Sequence, residues 1–367
     1  MTTDLTNYKY LSESYCNIDS INFISPFKIG IEPMKHLLVV DVQNCFDFEM
    51  LEPQIFDDPI NGKGLRVLRY RKDKKVDVYW EPGVAVDLKT FNIGSGLGDC
   101  KQIKFTRSIF KICNKNIHLD VQFTDLQGRE NVIRIEQNEE ETNRLNFLAP
   151  VGKDIKNPKQ LFFAYMKEFD FVLRKGTKIF IMIGDEILQP ASLPILRNNK
   201  RVHFIRYSAE PVIGTINPPE TNCRQTDLNQ KKFPAMQVVL KDEDRAAKLF
   251  IEYNNNFIEM KFDNGLPNLS KIKENAVESG NWTYLISGEE LSGGTYKIFR
   301  KENLIATELD VIKKWEPKDL PLALRIFTGI ISSFKTWPTT YFWRGQFDLN
   351  NYSFSGEWKR KTILKDN

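Results

Sequence analysis

Histidine is nearly absent from this chain: His36, His118 and His203 are the whole complement in 367 residues. So small a set excludes a histidine-rich metal centre and leaves at most one histidine beside carboxylates. Cysteine is scarce too. Cys16, Cys45, Cys100, Cys113 and Cys223 include no CxxC pair and make an odd total, which points to reduced thiols rather than a zinc site or a disulfide framework. No GxSxG, HExxH, Walker A or EF-hand pattern occurs, so the common nucleophile, metalloprotease, nucleotide and calcium signatures are missing. Gly94-Ser-Gly96-Leu-Gly98 resembles a phosphate loop only superficially. The third glycine of the dinucleotide pattern would fall on Lys101 or Asp99, and the stretch reads as a turn. No cofactor is expected.

A surplus of one charge sign is also missing. The 52 basic and 48 acidic side chains leave +4, too little for a global field that would hold a polyanion. The run Arg69-Tyr-Arg71-Lys72-Asp-Lys74-Lys75 reads as a solvated turn between strands Leu65–Tyr70 and Val76–Trp80. Lys359-Arg360-Lys361 is a second basic cluster. Neither belongs to a nucleic-acid motif, and no nucleic-acid partner is expected. Long apolar runs are absent as well. Leu320–Phe334 is the longest nearly uncharged stretch, at fifteen residues with Arg325 inside it, too short to span a bilayer. The N-terminus carries no basic region followed by an apolar run, so no signal peptide is read. A soluble cytoplasmic protein is the expectation.

What is present is aromatic mass: 26 Phe, 12 Tyr and 6 Trp, in a composition of 41% hydrophobic and 27% charged residues. Such a chain folds, and its aromatics suit pleated sheets. Period-two segments dominate. Ile117–Phe123 and Asn131–Gln137 flank Thr124-Asp-Leu-Gln-Gly128-Arg, a hairpin signature with glycine where positive φ is needed. Lys248–Tyr253 with Phe257–Phe262, and Thr295–Arg300 with Leu304–Leu309, predict two more. Lys178–Ile183 and Arg201–Tyr207 read as further strands. Helices are predicted at Lys159–Glu168, behind Asn157-Pro158, and at Asp319–Phe334, where Leu320, Ala323, Leu324, Phe327, Ile331 and Phe334 share one face.

The expected fold is mainly β, with antiparallel, hairpin-rich barrels or sandwiches in two packed units and a few short helices. A single large α+β domain is the alternative. The division runs 1–24 as an extension, 25–216 as one unit, 217–232 as a polar connector opened by Pro218-Pro219, and 233–367 as a second unit whose amphipathic helix lies near 320–334.

Two groups of residues could carry chemistry. On a strand, His203 and Tyr207 share a face with Ile205, opposite Phe204 and Arg206; both can transfer protons and are the catalytic candidates. Trp337-Pro-Thr-Thr-Tyr341-Phe-Trp343-Arg344 concentrates aromatics beside a cation. Trp337, Tyr341, Trp343 and Arg344 are the ligand-binding candidates, with a core seam as the competing reading. Asp57-Asp58 reads as an Asx turn, Glu139-Glu140-Glu141 as solvated, and Ser192 and Cys223 lack an activating base. These features predict a protein that binds a hydrophobic small molecule, lipid or isoprenoid-like, in a β-walled cavity. Cofactor-free isomerisation, hydration or cyclisation is the chemistry such a site would support. The alternative is a non-catalytic interaction module presenting an aromatic surface.

Overall fold

In a computed structural model of the chain, residues 10–11, 23–88, 95–113, 116–138, 144–151, 155–197, 199–217, 236–317 and 320–361 are described. Among them are twenty-four strands, two α-helices and a short 3-10 helix at Leu269–Lys271. After β1 (Tyr10–Leu11) come β2 (Ile29–Pro33), β3 (His36–Gln43), β4 (Phe48–Asp58), β5 (Gly62–Arg71), β6 (Val76–Trp80), β7 (Leu97–Gln102) and β8 (Arg107–Cys113). The chain continues through β9 (Asn116–Thr124), β10 (Glu130–Gln137), β11 (Leu145–Ala149), β12 (Leu161–Leu173), β13 (Thr177–Ile183), β14 (Glu186–Pro190), β15 (Ser192–Arg197) and β16 (Lys200–Ile216). A second series is β17 (Gln237–Leu240), β18 (Arg245–Tyr253), β19 (Asn256–Pro267), β20 (Val277–Ile286), β21 (Glu289–Lys301) and β22 (Leu304–Lys313). It ends in α1 (Leu322–Ile330), α2 (Ser332–Thr336), β23 (Tyr341–Asp348) and β24 (Ser353–Arg360).

The mainly-β expectation is met. Strands β2–β16 make one sheet, in which ten follow a curled path, β7-β6-β5-β4-β3-β14-β13-β10-β9-β8, and form a half-barrel. Strands β17–β24 form an antiparallel meander, with β1 added beside β17. Among the described strands, only the β6–β7 pair is parallel. Two of the three expected hairpins close at residues that tolerate positive φ, while the third turns through Glu302 at +55°. Gly128 has φ +79°, and Asn254 and Asn255 have +46° and +60°.

Two large apolar clusters result, beside a small third one at Leu68, Val76 and Val78. The smaller fills the half-barrel with Leu38, Val40, Leu51, Val67, Val121, Ile133, Ile181 and their neighbours. The larger brings Phe163 and Val212 from the first sheet, and Phe27 just before β2, against Tyr284, Trp282 and Trp343 from the second. Strand β16 serves both, giving Ile205 and Tyr207 to the smaller and Val212 and Ile216 to the larger.

Two local expectations change. Lys159–Glu168 is not a helix: Leu161–Leu173 is the strand β12, paired with β16 from Leu161↔Ile216 to Leu173↔Val202. A local cap signal at Asn157-Pro158 is outweighed by a thirteen-residue strand pairing that buries Phe163, Tyr165, Phe169 and Phe171. Asp319–Phe334 becomes two short helices, because Ile331, at φ −74° and ψ 118°, leaves helical geometry between them. The connector from 218 to 232 lies outside the described residues, as do Asp319, Gly94, Glu139–Glu141, Cys16 and Cys223. No helix among the described residues is long and apolar enough to cross a membrane.

Candidate functional site

Alternation along β3, β4, β5 and β16 sends Leu38, Val40, Leu51, Leu65, Val67, Ile205 and Tyr207 into the half-barrel. Their strand neighbours Asp41, Met50, Glu52, Gln54, Arg66, Tyr70, Phe204 and Arg206 therefore face the other way. Cross-strand register sets Asp41 opposite Met50, Met50 opposite Tyr70 and Gln54 opposite Arg66. On this second face the polar groups join into one chain of contacts. The Tyr70 hydroxyl donates to Glu52 Oε2 at 2.7 Å, and Gln54 Nε2 donates to Glu52 Oε1 at 2.6 Å. Arg66 Nε donates to Gln54 Oε1 at 2.5 Å, while its Nη2 reaches Glu32 at 3.4 Å. Beside this relay Arg206 pairs with Asp41, lies 3.5 Å from Met50 Sδ and stacks 4.4 Å from the Phe204 ring centroid. Its Nε is buried with no hydrogen-bond partner.

Electrostatics make this face unusual. Burial pushes the Glu52 carboxyl above the ordinary carboxylate range, although Tyr70, Gln54, Arg66 and Arg206 all favour its ionised form. Burial likewise raises Asp41, against the opposing pull of Arg206. Tyr70 is pushed far up by burial and by the adjacent Glu52, so it stays a hydroxyl donor. Asp41 and Arg206 each keep about a quarter of their side-chain surface exposed, so the cluster opens to solvent at that end. Two carboxyls lifted by desolvation, two guanidiniums and a phenol are the ingredients of proton transfer.

Of the residues singled out from sequence, Tyr207 lies in the half-barrel interior, its ring 5.6 Å from the Arg144 guanidinium and its backbone opposite Asp170. His203 is half-buried at the far end of β16, with Nδ1 unpartnered and its pKa lowered by burial and by Arg174. The two stand four positions apart along the strand, roughly 13 Å, so they share a face but do not converge on one atom. Trp337, Tyr341 and Trp343 are all buried in the larger core. Trp343 stacks on Phe354 at 5.5 Å and meets Phe27 edge-on at 5.9 Å. Its ring lies where a side chain on Gly345 or Gly356 would otherwise sit. The Tyr341 hydroxyl donates to the Ile155 carbonyl at 2.8 Å. Arg344 points outward and pairs with Glu308 at 3.1 Å.

The basic run at 69–75 divides. Lys72–Lys75 turn in solvent, but Arg69 is enclosed, with Asp77 at 2.8 Å, Asp125 at 2.9 Å and Asn131 at 2.7 Å. Arg71 pairs with Asp77 and Asp99, and Arg129 with Asp125 and Asp47. Arg69, Arg71 and Arg129 thus face Asp47, Asp77, Asp99 and Asp125, which leaves no surplus cation for an anionic ligand. Gly98 approaches Asp77 so closely that a Cβ there would lie 2.3 Å from Oδ1. A carboxylate, not a phosphate cradle, borders the glycine stretch.

The relay on the second face went unnoticed in the sequence. Its signal was present as single charged residues inside apolar strands, Asp41 in Val39-Val40-Asp41-Val42 and Arg66 in Leu65-Arg66-Val67-Leu68. Neither family models, curated proteins nor solved structures contain a match to this chain.

Proposed function

We propose that this chain binds a small amphipathic molecule on the face of β3–β5 and β16 that carries Glu52. Its apolar body would lie against Phe204 and Met50, and its oxygen-bearing head would meet Glu52, Tyr70 and Arg206. The carrying observation is the Glu52 carboxyl, raised by burial and gripped by Tyr70 at 2.7 Å and Gln54 at 2.6 Å. A carboxyl raised above its ordinary range by burial holds a proton more readily, which suits a proton carrier. Arg206 Nε, a buried donor without a partner, suits the oxygen on which negative charge develops as a neighbouring carbon loses its proton. The chemistry is cofactor-free proton transfer of the isomerisation, hydration or cyclisation class.

Native mass spectrometry of freshly purified protein tests the binding half, alongside titration with the amphipathic fluorophore cis-parinaric acid. A co-purifying small molecule, and probe binding weakened at least tenfold by Arg206→Met with the melting temperature preserved, are expected. Probe binding unchanged in Arg206→Met would move the ligand elsewhere. A second reading, a non-catalytic interaction protein, draws on a different element, the outward face of α1.

A further inference from the structure

Helix α1 is apolar on both sides. Leu324 is buried and Phe327 packs edge-on against Phe204 at 6.4 Å, so one side serves the core. On the other, Leu322, Ile326 and Ile330 are 71%, 54% and 72% exposed. Spaced four apart, they fall within roughly 80° of arc and form one stripe. A helix that is hydrophobic all round is ordinarily enclosed, and a solvated stripe of three large aliphatics marks a contact surface. Gly329 sits on the same outward side, with no atom within 4 Å of where its Cβ would be.

The charges decide what that surface meets. From Leu320 to Phe347 the chain contains no Asp or Glu, while Arg325, Lys335 and Arg344 are present. Arg325 and Lys335, the two charges of the helical pair itself, are exposed. An apolar stripe on a helical pair whose own two charges are both cations, with Asp319 just before it in sequence, complements an anionic lipid surface, with aliphatics entering the acyl boundary and guanidinium and ammonium groups meeting headgroup phosphates. A protein partner chosen by charge would instead need acids of its own, and a second copy would set cation against cation.

We propose that α1 docks this protein peripherally on anionic membranes, through Leu322, Ile326 and Ile330 with Arg325 and Lys335. The docked helix sits one aromatic layer from Arg206, through Phe327 and Phe204. The docking surface does not depend on the ligand site, and its test uses different residues.

Co-flotation of the full chain with phosphatidylcholine vesicles, with and without phosphatidylserine, measures it. The wild type is expected to float with the phosphatidylserine vesicles, to float poorly with phosphatidylcholine alone, and to release in high salt. Ile326→Ser should lower the partition coefficient by roughly tenfold or more, and Arg325→Gln with Lys335→Gln by roughly 30-fold. All these side chains are exposed, so folding and probe binding at the Glu52 face should be unchanged. A wild type that does not float overturns the proposal, as does full binding by Leu322→Ser/Ile326→Ser/Ile330→Ser. Concentration-dependent self-association that Ile326→Ser abolishes, without vesicle binding, would reassign the stripe to a second copy of the chain.

Discussion

Replacing Arg69 by Met should destabilise the half-barrel by about 4 kcal/mol at pH 7. The guanidinium is almost wholly buried and joins three elements, with Asp77 on β6, Asp125 in the β9–β10 turn and Asn131 on β10. It also stacks 4.5 Å from the Phe48 ring and 4.8 Å from Tyr79. Methionine restores most of the volume, so the loss is electrostatic. Removing one partner of a buried ion pair costs about 3–5 kcal/mol. Here the low end applies, because Asp77 keeps Arg71 at 2.6 Å, and Asp125 keeps Arg129 at 3.0 Å with two backbone N–H donors. Stranding the Asn131 carbonyl adds about 1 kcal/mol.

Acidity gives a second handle on Arg69. Burial pushes Asp125 up, but Arg69, Arg129 and the backbone donors more than offset it, so its folded pKa lies below the ordinary value. A depressed carboxylate contributes stability that is present above about pH 3.9 and is lost as pH falls through the folded value. Arg69→Met removes part of that depression, so the gap between variant and wild type should narrow in acid. Urea denaturation at pH 7 and at about pH 2.5, below the ordinary carboxylate value, with equal m-values, reads both effects. A loss under about 1 kcal/mol at pH 7, or a gap that stays constant into acid, would refute the reasoning.

Further tests address the core and the titrating groups. A Cβ on Gly214 would fall 2.3 Å from the Tyr284 hydroxyl, so Gly214→Ala should cost roughly 1–3 kcal/mol. Tyr284→Phe, which removes a buried hydroxyl without a partner, should be near neutral alone and recover much of that loss in the double variant; thermal melts of the four-member cycle decide. Trp343→Ala should cost about 3–5 kcal/mol, as a core residue would, whereas an unchanged melting temperature would return Trp343 to the ligand reading. Burial holds His36 below its ordinary value while Nδ1 donates to the Ala209 carbonyl at 2.8 Å. Its contribution is complete above about pH 6.5 and is lost as pH falls through the lowered folded value, so denaturation midpoints between pH 7 and 5 should fall more in wild type than in His36→Asn. Glu52, raised by burial, has the opposite sign. Wild-type stability relative to Glu52→Gln should fall as pH rises from about 4.3 through the raised value, and a pH-independent difference would remove the proton-carrier role.

Strand-rich architecture, most hairpins and the outline of the C-terminal helix were legible because they are local. Period-two alternation and turn residues such as Gly128 and Asn254-Asn255 act within a few residues of chain. The core-facing set of the helix, with Leu320 and Leu324 buried, followed from spacing alone. The strand at Leu161–Leu173 was not legible. Its start carries helix signals, and only the long pairing with β16 shows where its backbone hydrogen bonds go.

The candidate site was hidden for the same reason. Glu52 and Tyr70 stand eighteen residues apart, and Asp41 and Arg206 are separated by 165; no periodicity relates them. Sequence alone determined that these chains would pleat and where they would turn, since φ/ψ preferences and alternation belong to each segment. Which face of each strand meets solvent, core or another charge was decided by sheet order and register, which bring β3, β4, β5 and β16 side by side. Burial, and with it the raised Glu52 carboxyl, follows from that assembly and from nothing local.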